Sequence, residues 1–312
     1  MQRRETDSKK TFIRKLKTDL GRHWQMYLIA LPVILYFLVF SYAPMAGLVM
    51  AFQRFSPHKG ILGSPWAGFA HFERFFSSPF FFRTFRNTVL LSFYGLLFSF
   101  PLPVILALCL NEVRSTKFRR FVQTVSYLPY FISIVVVVSI LYDFGSSSGV
   151  ITSIARSFGW KGGAVISSPN WFRTLYIGSN LWQHLGYNSI IFISALTAVD
   201  PALYEAAAID GAGRWKQTLH VTLPSIAPTV IIVLLLRLGQ FMSIGYEKII
   251  LMYGPATYET ADVIATYVYR AGILDGDYSF ATAVGLFNSA VNLFILLAAN
   301  RVSRRVSETG IF

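Results

Sequence analysis

Residues 200–225 read DPALYEAAAIDGAGRWKQTLHVTLPS. This polar stretch joins two apolar runs, 174–198 and 225–246. Each run is long enough to cross the hydrocarbon core of a bilayer, which takes roughly 20 apolar residues in a helix. The stretch between them has the residues of a helix pair rather than of an open loop. Asp200 is placed to cap a helix, and Pro201 suits a first turn, where its missing N–H is not needed. Residues 203–210 favour helix, and Gly211 and Gly213 can end it with a left-handed turn. A second helical stretch runs from Arg214 to Thr222 and meets Pro224. Ala206, Ala207 and Ala208 leave a small-residue surface that a partner can approach closely. On these residues alone, an ordinary amphipathic connector fits as well as a docking element.

Working outward, four further apolar runs cover 25–51, 87–111, 120–142 and 279–300, which makes six expected spans. Pro32, Pro44, Pro101 and Pro103 are expected to kink the first two. Alternating segments of about ten residues, the mark of a membrane β-barrel, are missing. Composition agrees: 54% of the 312 residues are hydrophobic and only 14% charged, against about 25% charged in soluble domains. The expected fold class is therefore an all-α integral membrane protein with six transmembrane helices, its transmembrane domain covering 25–312. The polar, basic segment 1–24 lacks the short apolar core and small-residue cleavage site of a signal peptide, so the first run is expected to be retained. Segment 52–86, rich in Phe, Pro and Gly, reads as an aromatic interfacial loop, and most Phe residues are assigned to lipid-facing belts. Cys109, the single cysteine, has no intramolecular partner and no metal-ligand cluster.

Charge sets the orientation. Seventeen of the 28 Lys and Arg fall in 1–24, 112–120, 199–224 and 301–312, and ten fall in 52–86, 143–173 and 247–278. The first set is shorter yet more basic, which places both termini in the cytoplasm. The same bias explains a formal charge of +13 without a nucleic-acid partner. The three opposite segments carry net charges of +4, +2 and −3.

Glu205-Ala206-Ala207, three residues, Gly211, nine residues and Val221-Thr222-Leu223-Pro224 resemble the EAA loop of bacterial ABC importer permeases, whose pattern is EAA-x3-G-x9-I-x-LP. The departure is Val221 in place of Ile, a conservative apolar exchange. YLPYFIS at 127–133 and YETADVIATYVYR at 258–270 resemble the carbohydrate branch of that family, and the likeness extends over almost the whole chain after about residue 25. It implies a type I permease that supplies half of a translocation pathway for an oligosaccharide, an acidic one such as alginate included. Glu205, Ala206, Ala207, Asp210, Gly211, Leu223 and Pro224 would then form the coupling element that docks on a cytoplasmic ATPase. The resemblance further implies a second permease subunit (a heterodimer), two ATPase subunits and an extracytoplasmic solute-binding protein, all at the bacterial inner membrane. ATP and Mg would sit on the ATPase subunits, with no cofactor on this chain and no enzymatic role for it. The sequence contains no Gly-Lys dipeptide and hence no P-loop of its own. A permease for a small polar solute, such as an amino acid or phosphate, keeps the same scaffold. A secondary transporter is disfavoured, because no span carries a central Asp or Glu for ion coupling.

Gly145-Ser146-Ser147-Ser148-Gly149 fits G-x-S-x-G, but a nucleophile elbow needs a strand-to-helix turn in an α/β sheet. The five histidines show no metal-ligand spacing. Intramembrane polar residues are more informative. Arg237 is read near the middle of the fifth span, on one stripe with Thr229, Val233 and Gln240, where an unpaired charge costs at least about 2.5 kcal/mol. If the solute is an acidic sugar, it is the expected partner of the carboxylate. Trp182, Gln183, Tyr187, Asn188, Arg237, Gln240, Tyr246, Asn288 and Asn292 are the expected pathway residues, since a sugar needs hydrogen-bond partners to replace water and aromatic faces for its C–H surfaces. The alternative for each is helix-to-helix hydrogen bonding.

Overall fold

The computed structural model describes residues 21–307, so most of the basic segment 1–24 and the last five residues lie outside the described residues. Among the described residues no strand forms, and one isolated antiparallel bridge joins Gln53 and Trp66. The chain divides into two compact units, residues 1–68 and 69–312.

In the first unit a single long helix, α1 (Gly21–Phe52), is strongly apolar beyond its first turn. Its large side chains stand exposed, Ile29 and Phe40 among them. A helix without a polar face suits lipid, which rewards no amphipathic stripe. The helix widens into a π turn at Leu38–Tyr42 just before Pro44 and tightens to 3-10 over Ala43–Phe52, because proline cannot donate to the carbonyl four residues back. Beyond it, Phe52 stacks on Trp66 at 5.7 Å, and Ser64 Oγ accepts from Ser56 N while donating to the Gly60 carbonyl.

The second unit holds the remaining long helices. α2 (Phe81–Glu112) carries a joint at Phe100–Pro101. The run expected as one span over 120–142 is instead two helices, α3 (Thr116–Phe131) and α4 (Ile134–Gly145), set at 97°. Two residues cause the break. Pro129 removes a donor from the helical ladder, and Ser133 caps the new helix by accepting from Val136 N. The Ile132 carbonyl at the corner accepts from Gln183 Nε2 at 2.8 Å.

α5 (Pro169–Thr197) is the central helix and packs against α2, α3 and α7. Its approach to α3 is set by Gly186, where a Cβ would lie 2.2 Å from the Ser126 carbonyl oxygen. Lipid supplies no hydrophobic drive between helices, so such close backbone contact is the means of holding them together. α6 (Pro201–Ile209) leaves α5 at 68°. α7 (Arg214–Leu238) runs through a π turn at Thr218–Thr222 just before Pro224.

The fifth expected span, 225–246, is displaced toward the N-terminus, with its helix running over Arg214–Leu238. The helix stops at Leu238, so Arg237 sits in its last turn rather than at mid-span, and Gln240 and Tyr246 lie outside it. Gly239 and Gly245, both poor helix formers, bracket the interruption. α8 (Tyr246–Met252) and α9 (Ile264–Tyr269) follow, then α10 (Tyr278–Ser307).

Three buried clusters hold this unit: one around Phe172, Ile249 and Val263, one around Phe75, Met242 and Phe280, and one around Val104, Phe192 and Ile226. Phe75 is fully buried, with the rings of Phe81, Tyr267, Phe280 and Phe287 at 5.0–6.3 Å. Part of the Phe-rich stretch assigned to lipid belts is thus interior packing. Phe82 and Phe76 do remain exposed.

Candidate functional site

The 200–225 connection is an ordered hairpin of helices. Asp200 Oδ1 accepts from Ala202 N at 2.9 Å, which caps α6. At the other end Gly211 takes φ +73°, its N–H bonds to the Ala208 carbonyl, and Ala212 N bonds to the Ala207 carbonyl. This pair of bonds is a Schellman turn, and only a residue tolerant of positive φ holds it without strain. Gly213, expected to share that role, is extended at φ −66° and caps the next helix. The two arms are tied by Tyr204 OH to Thr222 Oγ1 at 3.0 Å and by Gln217 Nε2 donating to the Ala212 carbonyl at 3.0 Å. Arg214 also faces Glu112 at 3.7 Å, an exposed pair worth little by itself. Glu205, Ala206 and Asp210 are exposed on the hairpin, and so are Leu203, Ile209 and Trp215, with Ile209 87% exposed. The hairpin therefore presents a rigid, partly apolar face beyond the helices that carry it. Leu223 and Pro224 lie at the base of that face, on α7.

Among the cavities of the second unit, two meet at Arg237. The larger, about 350 Å³, is bordered by α2, α5 and the segment after α7, through Ser92, Ser99, Tyr176, Asn180, His184, Arg237, Gln240 and Lys248. The smaller, about 250 Å³, is bordered by Tyr187, Asn188, Val233 and Arg237. Ser99, Phe100 and Arg237 border both. Of the expected pathway residues, the structure thus gathers Tyr187, Asn188, Arg237 and Gln240 at cavity walls.

The others stand elsewhere. Asn292 Oδ1 accepts from Met242 N at 2.7 Å and its Nδ2 donates to Ser243 Oγ at 2.9 Å, while Asn288 Nδ2 donates to the Met242 carbonyl at 3.3 Å. These two residues satisfy the backbone that the break after Leu238 would otherwise leave bare. Gln183 does the same at the Ile132 corner. Each of the three makes a bond to backbone, as the helix-to-helix alternative has it, while Asn288 Oδ1 has no partner among the described residues. Trp182 is exposed and Tyr246 stacks on Tyr269 at 5.2 Å.

Sequence reading missed Lys248. It follows the expected end of the fifth run by two residues, in YEKIILMY, where an apolar count reads straight past it. Its side chain is buried at 4% exposure, and burial pushes its ammonium down to about 8. Sequence reading also missed the fixing of 258–270. Asp262, 1% exposed, receives Arg270 through two nitrogens at 2.8 Å and Arg83 at 2.9 Å. Burial alone would lower the Arg270 pKa, but the bonds to Asp262 outweigh it and hold that guanidinium above its ordinary value. Asn87 adds bonds from Nδ2 to the Glu259 and Asp262 carbonyls. The stretch thereby becomes a buttress on α2.

Residues 99–308 match the family described as binding-protein-dependent transport system inner membrane component. The polygalacturonan/rhamnogalacturonan transport system permease protein YteP of Bacillus subtilis (strain 168) is 42% identical over 97% of this chain and 95% of its own. Protein LplB of the same organism is 42% identical over 94% of this chain and 92% of its own. Among solved structures, a chain of a bacterial alginate ABC transporter in complex with an alginate pentasaccharide-bound periplasmic protein superposes with a TM-score of 0.86 at 45% identity. The match covers 95% of this chain and all of that one. A matching stretch of this length, four to six apolar helices able to cross a membrane, and relatives alike over nearly their full length agree: this chain belongs to the family of binding-protein-dependent transport system inner membrane components.

Proposed function

We propose that this chain is one permease half of an ATP-driven importer of acidic oligosaccharides. The observation that carries the reading is the 200–225 hairpin, capped at Asp200, turned at Gly211 and exposed at Ile209 and Trp215. Such a rigid element, mounted on two apolar helices, can pass the movement of a soluble partner to the membrane part. Glu205, Ala206, Ala207, Asp210, Gly211, Leu223 and Pro224 make up that contact. Two ATPase subunits bind ATP and Mg. The chain itself binds no cofactor and catalyses no reaction. A second, different permease subunit completes the pathway. An extracytoplasmic binding protein delivers the solute, a partner supported by the complex solved for the alginate transporter. The complex lies in the bacterial inner membrane with both termini of this chain in the cytoplasm, a placement supported by the basic bias of its segments.

An acidic solute is supported from two sides. The relatives named for polygalacturonan and alginate concern uronic-acid polymers. Arg237 also brings a guanidinium to the edge of both cavities. The test is co-purification with ATPase and partner permease, then uptake of an alginate oligosaccharide into proteoliposomes. Uptake should need ATP, the ATPase and the binding protein together. Transport that persists with the ATPase omitted would overturn the importer reading.

A further inference from the structure

Lys248 projects from α8, between exposed Glu247 and fully buried Ile249. Its side chain is only 4% exposed, yet its Nζ has no hydrogen-bond partner among the described residues. The nearest compensation is the face of Tyr176, whose ring centroid lies 5.3 Å away. A cation–π contact offsets only part of what burial costs an ammonium. Two more polar atoms on the same cavity, Ser92 Oγ and Ser99 Oγ, are also buried without a partner. An ion pair already present would leave such a cluster satisfied. Here Lys248, Ser92 and Ser99 line an open volume of about 350 Å³, within the range that ligand pockets occupy, with their polar atoms buried just behind its wall. The other charged or titratable groups on that wall are Arg237, Glu247, Tyr176 and His184.

We propose that Lys248 is a specificity-determining residue for carboxylate-bearing sugars. A turn of its side chain into the cavity brings Nζ, now closed off behind the wall, to one uronate carboxylate, while the Ser92 and Ser99 hydroxyls turn to meet ring hydroxyls. Arg237, exposed at the rim, meets the solute first and Lys248 meets it within. The site discriminates by what it leaves unsatisfied: a neutral sugar of the same size enters without pairing the buried ammonium, and so binds less well. This inference rests on the acidic-oligosaccharide reading above.

The test uses the full complex in proteoliposomes, with an oligouronate and its carboxyl-reduced neutral counterpart of equal length and linkage. Lys248→Met keeps the apolar stem and removes the charge. It should raise the KM for the oligouronate about tenfold or more and leave the neutral compound within about twofold. Lys248→Arg should retain the preference for the acid. Equal losses for both compounds, or no loss for either, would overturn the role of Lys248 while the importer reading stands. A wild-type complex that imports only the neutral compound overturns the acidic reading and this role with it. Should Lys248→Met fail to assemble, Ser92→Ala with Ser99→Ala reads the same wall: selectivity and KM both unchanged would overturn the site.

Discussion

Arg237 lies one residue from the end of α7, exposed, on the border of both cavities. A guanidinium there offers a planar fork to a carboxylate. A charge-assisted hydrogen bond contributes about 1.5–3 kcal/mol. Arg237→Ala should therefore reduce uptake of an acidic oligosaccharide about 10- to 100-fold, with a smaller effect on a neutral one. Arg237→Lys should restore only part, since an ammonium lacks the fork. Initial rates for both solutes, on variants that co-purify normally, decide it; equal losses would make Arg237 structural. The sequence exposed Arg237 because a lone charge in an apolar run is conspicuous. Lys248 stayed hidden because only the break at 239–245 folds it back over the cavity, and that break rests on Asn288 and Asn292 from a distant helix. Those two asparagines hold the Met242 backbone, a link between distant segments that no local pattern announces.

The elements differ in how much local sequence decides them. The 200–225 hairpin was legible because its cap, its turn glycine and its prolines are short-range signals. Gly211→Val forces a β-branched residue to φ +73° and disrupts the Schellman turn. The variant should hydrolyse ATP without matching transport, seen as a fall of several-fold or more in solute moved per ATP. Glu205→Lys reverses an exposed charge on the same face and should weaken co-purification of the ATPase. The crossing of α3 and α5 was not legible, because nothing near Gly186 in sequence reveals that the Ser126 backbone lies against it. An added Cβ there meets carbonyl oxygen and carbon at 2.2 and 2.4 Å, and backbone must move to admit it. Gly186→Ala should cost about 1–3 kcal/mol, the range for overpacking, read as a lowered melting temperature in detergent. An unchanged melting temperature would mean the helices separate there at no cost. The 97° corner was missed for a related reason: an uninterrupted apolar count reports hydrophobicity and says nothing of direction.

At the scale of the whole molecule, charge pairing shapes the face that would receive a binding protein. The segments assigned to that side have opposite signs, +4 for 52–86 and −3 for 247–278. The structure joins them where both are in the second unit, through Arg74 with Asp277 at 2.6 Å and Arg83 with Asp262 at 2.9 Å. Charges held in such pairs project little net field, so no broad potential of one sign is left to steer a partner. Docking should rest on shape and short-range polar contacts, which salt screens weakly compared with long-range attraction. Raising ionic strength from about 0.05 to 0.5 M, which shortens the screening length several-fold, should change binding-protein-stimulated ATP hydrolysis by no more than about threefold. Basal hydrolysis, measured in parallel, removes any effect of salt on the ATPase itself. Asp277→Asn with Asp262→Asn frees three arginines, Arg74, Arg83 and Arg270, and the variant should become more salt-dependent than the wild type if it assembles. A steep salt dependence in the wild type would mean that unpaired charges elsewhere on this face guide the encounter.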